Sequence, residues 1–247
     1  MQAMQPTIGA VSSRSTPSSK LWFLTFLYTM VTVLCNWFNV RLTEVFGFAL
    51  PSGSFIFPFT FFLTNLITEV YGYKYARLAI WWGVFFNIFD LVHGQLVTLM
   101  PSPDVYRTQI FDMLLEANGR TILAGLFGCL SSEPLNSLMM AKLKMEFRGQ
   151  FIGARFLIAT VIASVVDSVV FGFLAFYGVF DKKTFIAIIF GMIAFKVVID
   201  FLALPFFLYF AKKLKRKECL DMYDKGTNFN LFRLETHYAP SANHFKE

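Results

Sequence analysis

Five carboxylates, Glu69, Asp90, Glu133, Asp167 and Asp200, interrupt long apolar runs of this chain, and a single lysine, Lys196, shares their setting. Each has polar neighbours at helical spacing. Thr64, Asn65, Thr68 and Glu69 fall at i, i+1, i+4 and i+5, and Asn87 and Asp90 at i, i+3. Glu133 is followed by Asn136 and Ser137, Asp167 is flanked by Ser164 and Ser168, and Lys196 precedes Asp200 by four residues. Such spacings put each set along one face of an α-helix. A carboxylate at the centre of a membrane helix costs roughly 2.5–3.5 kcal/mol on insertion scales, so these faces belong against other helices or an aqueous cavity. Carboxylates, amides and hydroxyls together pair donors with acceptors, which suits a flat heterocycle with several N–H groups. Phe57, Phe61, Tyr71 and Trp81 are available as stacking faces. A site built to hydrogen-bond polar edges rejects analogues that lack them. The crowding of acids also suggests a proton exchanged at Glu133 or Asp167 during turnover.

Some of these residues have structural readings. Asn36, Asn39 and Asn87 suit hydrogen bonds between helices. Glu69 stands near a helix end, where it could reach water or Lys74. Asp90 could reach the opposite aqueous side, with His93 one turn further on. Lys196 could pair with Asp200 along its own helix or with Asp167 across the bundle. Glu133 and Asp167 fall mid-span and resist such accounts. The candidate binding set is therefore Asn65, Glu69, Asn87, Asp90, Glu133, Asn136, Asp167, Lys196 and Asp200.

The elements that must position them are transmembrane helices. Of 247 residues, 56% are hydrophobic and only 15% charged, too few charges to cover a soluble domain of this size. Mean hydropathy is +0.56. The expected fold is an all-α integral membrane protein with six transmembrane helices, at Leu21–Val40 and about 54–72, 77–99, 121–141, 154–178 and 184–211. Residues 1–19 read as a disordered cytoplasmic tail, 20–211 as the transmembrane domain and 212–247 as a cytoplasmic tail. A loop is expected over about 100–119 and a short one between the first two spans. Lys and Arg concentrate at residues 74–77, 142–155 and 212–217, which predicts both termini inside. That distribution explains the net charge of +6 without a nucleic-acid partner. TNLITEVYG and SVVDSVVFG, ending at Gly72 and Gly172, echo each other on oppositely directed helices, as a three-plus-three inverted repeat would. Three cysteines match no disulfide framework or metal spacing. No Walker A, HExxH, GxSxG or GxGD pattern is present, so neither an enzyme nor a self-contained ATPase is expected.

Phe57–Arg77, FPFTFFLTNLITEVYGYKYAR, resembles the signature of the queuosine precursor transporter family, also grouped with vitamin uptake transporters. SSEPLNSLMMAKLKM, ASVVDSVVF and FKVVIDFLALPFF look like later segments of the same family in the same order, so the resemblance covers about 20–212. It implies a six-helix bacterial inner-membrane importer of 7-cyano-7-deazaguanine, 7-aminomethyl-7-deazaguanine or queuine, feeding tRNA queuosine synthesis, with no cofactor. The chain departs from the family pattern at Asn65, often acidic there, at Ser132 and Pro134 around Glu133, and at Ser164, often Gln. Alternatives are a substrate-binding subunit of an ATP-driven vitamin importer, and a membrane assembly protein.

Overall fold

A computed structural model describes residues 19–45 and 47–245. The tail expected over 1–19 lies outside the described residues, except that Ser19 opens the first helix. Six helices follow in order: α1 Ser19–Phe38, α2 Pro58–Tyr71, α3 Tyr73–Thr98, α4 Val105–Glu146, α5 Ile152–Phe176 and α6 Lys182–Glu218. Four of them, α1, α3, α5 and α6, are long and apolar enough to cross a membrane. At 14 residues, α2 is ~21 Å long, short of a ~30 Å hydrocarbon core.

The bundle is inside-out relative to a soluble protein. On α1 the buried stripe is Thr25, Thr29, Thr32, Cys35 and Asn36 with Leu21 and Tyr28, while Trp22, Phe23, Phe26, Met30 and Phe38 are exposed. The same residues would be misfolded in water. In lipid they place apolar surface outward and satisfy polar groups inward.

The link expected as a short loop after α1 is instead a hairpin of β1 Leu42–Val45 and β2 Phe48–Pro51, paired Leu42 to Pro51 and Val45 to Phe48. It folds against α6, where Phe48 and Leu50 press on Gly191. The loop expected over 100–119 is helical from Val105. Asp104 caps the helix by accepting the Arg107 N–H at 3.0 Å, and no glycine or proline interrupts the next 14 residues. Pro134 and Pro205 sit within α4 and α6, each removing one backbone donor.

Between α2 and α3 the chain turns on Gly72 at φ 90°, a conformation that disfavours any residue with a Cβ. The Tyr238 hydroxyl occupies the place a Cβ would take. In α5, by contrast, Gly172 lies inside the helix and against Ile189. The two glycines that end the sequence echo therefore do different jobs.

From 212 on, where a tail was expected, the chain is structured. The last helix continues to Glu218, and residues 219–245 pack back on α2 and α3. Asp224 accepts the Tyr73 N–H at 3.0 Å, capping α3. Arg77 donates to the carbonyls of Asn228, Asn230 and Glu235, and Trp81 to that of Leu231 at 2.8 Å. This segment holds its place largely through its own backbone carbonyls.

Candidate functional site

Along α4, α5 and α6 the interior is layered. At the hairpin end, Leu50, Ala124, Phe171, Ala175, Ile188 and Met192 form an apolar cluster. At the other end, Leu66, Met140, Phe156, Ala159, Phe207 and Ala211 form a second, with Phe156 stacked on Phe207 at 4.2 Å between centroids. Between the two lie Ser132, Glu133, Asn136 and Ser137 of α4, Ser164, Asp167 and Ser168 of α5, and Lys196 and Asp200 of α6. All nine are buried. Facing them from α2 are Thr64 and Asn65, also buried. Four helices thus present their polar stripes to one layer sealed above and below by apolar side chains.

Within that layer, Lys196 donates to Asp167 Oδ2 at 2.5 Å, and Ser132 donates to Asp167 Oδ1 at 3.2 Å. The ammonium also rests 4.0 Å from the centroid of the Phe57 ring, a cation–π contact strengthened by the dry surroundings. Lys196 thus pairs across the bundle rather than with Asp200 on its own helix. Asp200 accepts from Ser164 at 3.2 Å. Glu133 accepts from Thr64 at 2.8 Å, and Asn65 donates to Asn136 at 3.3 Å.

The network is incomplete. Asn65 Oδ1, Glu133 Oε1, Ser137 Oγ, Ser168 Oγ and Asp200 Oδ1 are buried without a hydrogen-bond partner among the described residues. Buried polar atoms are nearly always satisfied, and each one left open costs about 1–3 kcal/mol. Five on four adjoining helices mark a place where something polar belongs. Glu133 and Phe57 also border a small cavity, shared with Asn36, Asn87 and Cys129, of about 20 Å³. That is room for roughly one water molecule, against the ~300–1,000 Å³ of small-molecule pockets. The layer is closely packed in this structure, with each of its side chains buried.

Three of the nine sequence candidates lie outside the layer. Asn87 accepts from Asn36 at 2.6 Å and so joins α1 to α3, the helix-to-helix role open to it. Asp90 is half-buried further along α3 and joins no hydrogen bond or ion pair among the described residues. Glu69 is fully buried but one layer beyond the Phe156–Phe207 seal. Arg155 grips it with two nitrogens at 2.7 and 3.1 Å, and Lys215 reaches it at 2.6 Å. Lys144 lies 3.9 Å away and pairs with Asp221 at 2.6 Å. Neither exposure to water nor a contact with Lys74 accounts for Glu69. Arg155, Lys144 and Lys215 were read in the sequence as positive-side markers, and their common signal was proximity to a helix end shared with Glu69.

Thr64, Ser132, Ser137, Ser164 and Ser168 also line the layer but stand outside the candidate set, because a hydroxyl on a membrane helix bonds its own backbone as readily as a ligand. Among the described residues no cluster of His, Cys, Asp or Glu could hold a metal ion.

A buried polar layer between apolar seals, in a bundle where α5 and α6 are long and apolar enough to cross a membrane, is the construction of a membrane transporter. Residues 51–210 match the family described as "Putative vitamin uptake transporter", and the chain belongs to that family, whose members are transporters rather than enzymes. A curated relative, named "Probable queuosine precursor transporter", from Bacillus subtilis (strain 168), is 24% identical over 186 residues, covering 74% of this chain and 80% of its own. No solved structure matches.

Proposed function

We propose that the chain imports a deazaguanine-type base, 7-cyano-7-deazaguanine, 7-aminomethyl-7-deazaguanine or queuine, across a bacterial inner membrane for tRNA queuosine synthesis. The supporting observation is the sealed polar layer with its five unpartnered atoms. Open acceptors at Glu133, Asp200 and Asn65 suit the N–H edge of a guanine-like ring. Asp200 joins no ion pair among the described residues and keeps Oδ1 open, so it could also meet an aminomethyl cation. Phe57 provides an aromatic face at the border of the layer.

In this reading all six helices cross the bilayer with both termini in the cytoplasm. Helices α2 and α5 are corresponding members of two inverted repeats. The two apolar clusters part in turn, admitting the base from one side and releasing it to the other. The Lys196–Asp167 pair holds α5 to α6 in the closed form and exchanges partners as the base enters. A proton at Glu133 or Asp167 travels with the cycle, so uptake that ignored an imposed pH gradient would argue against this coupling.

The test is salvage in a host unable to make deazaguanines and lacking its own importer. The expected result is restored queuosine in tRNA at low external base, lost in Glu133→Gln. Correctly inserted chain that restores queuosine with none of the three bases would sink the reading.

A further inference from the structure

At the end of the bundle where α4 closes and α6 emerges, the chain encloses an open cleft of about 760 Å³, far larger than the cavity at the polar layer. Its walls carry Arg148, Lys212, Lys215, Arg216 and Lys225 against one carboxylate, Asp221. Lys215 and Asp221 are already committed to each other at 2.7 Å and to the Glu69 cluster. The side chains of Arg148, Lys212, Arg216 and Lys225 make no ion pair or hydrogen bond among the described residues, and all four are exposed. Four unpaired cations around one concavity repel one another, and the fold holds them together anyway. Arg148 is fixed at φ 51° in the turn between α4 and α5. Lys225 is brought in by the docked C-terminal segment, which also contributes Tyr223 and His244, with rings 4.5 Å apart.

The position of the cleft narrows the ligand. Lys212 and Arg216 lie one turn apart on α6, directly after exposed Phe206, Tyr209 and Phe210. An exposed aromatic face running into a cationic one is the order met by a lipid whose acyl chains lie along the helix and whose phosphate ends at the cleft. Basic pockets at this depth take anionic headgroups. We propose that the cleft is a binding site for the headgroup phosphate of an acidic phospholipid. Because Lys215 spans the cleft wall and Glu69, an occupied cleft braces the ion cluster that ties α2, α5 and α6 together. This assignment is independent of the transported substrate.

The full chain in mild detergent would be titrated with phosphatidylglycerol, with phosphatidylcholine and with inorganic phosphate, and adducts counted by native mass spectrometry. The comparison is between Lys212→Gln/Arg216→Gln, facing the cleft, and Lys213→Gln/Lys217→Gln, which removes equal charge on an adjacent face. All four residues are exposed, so neither pair is expected to unfold the bundle, and a thermal melt verifies it. The expected result is one tightly held phosphatidylglycerol per chain, weakened roughly tenfold to thirtyfold by the cleft pair and hardly by the control pair. Equal loss in both pairs would mean a diffuse positive field and overturn the site. Inorganic phosphate displacing the lipid at similar concentration would overturn the lipid assignment, as would equal retention of phosphatidylcholine.

Discussion

At the scale of single residues, burial sorts the charged groups into two kinds. Glu69 is gripped by Arg155 and Lys215, while Glu133 and Asp200 each keep one oxygen with no hydrogen-bond partner among the described residues. Removing one member of a buried ion pair leaves the others uncompensated and costs about 3–5 kcal/mol. Glu69→Gln should therefore lower the melting temperature sharply and depress expression. Glu133→Gln should melt close to the parent yet lose uptake, since only an open acceptor changes. Asp167→Asn strands the Lys196 ammonium and should both destabilise and inactivate. In Asp167→Asn/Lys196→Met, stability should return while uptake stays lost, a non-additivity that a double-mutant cycle reads directly. Recovery of uptake in that double variant would remove the pair from the transport cycle.

At the scale of elements, most of the helices were legible. Residues repeating at 3.6 along apolar runs leave little choice in lipid; on α2 the stripe Thr64, Asn65, Thr68, Glu69 is buried, as is nearly all of the helix around it. What escaped was local. The helix start at Val105 depends on one cap, Asp104, in a stretch polar enough to pass for a loop. The hairpin Leu42–Pro51 is only eight strand residues with an intervening turn, below what alternation can announce. Gly72 was visible as a glycine, but its role as the φ 90° joint filled by Tyr238 was not. Gly72→Ala would strain that joint and push on the Tyr238 ring. It should lower stability by about 1 kcal/mol or more and speed amide exchange at Tyr73 and Lys74, measured by hydrogen–deuterium exchange.

At the scale of the whole molecule, the segment 219–245 closes the basic end. Burial, with the Asp224 carboxylate beside it, holds the Tyr238 hydroxyl above the ordinary tyrosine range. A raised folded value means that this group's share of stability is whole below about pH 10, where unfolded tyrosine titrates, and is lost as pH climbs beyond it. Alkaline titration should thus release the segment early, seen as faster proteolysis within 219–245. Tyr238→Phe should weaken docking at neutral pH and abolish the alkaline step. The amino-acid order alone dictated a helical membrane bundle with polar faces turned inward, because hydrocarbon permits neither an unpaired backbone nor a lipid-facing carboxylate. Its candidate set holds six of the eleven polar residues that meet in the sealed layer: Asn65, Glu133, Asn136, Asp167, Lys196 and Asp200. Partner choice came only with the folded bundle. Whether Lys196 reached Asp167 or Asp200 turned on how α5 and α6 are set against each other, which composition does not encode. Docking of the last segment relies on main-chain carbonyls offered to Arg77 and Trp81, and a backbone carbonyl leaves no trace in residue type.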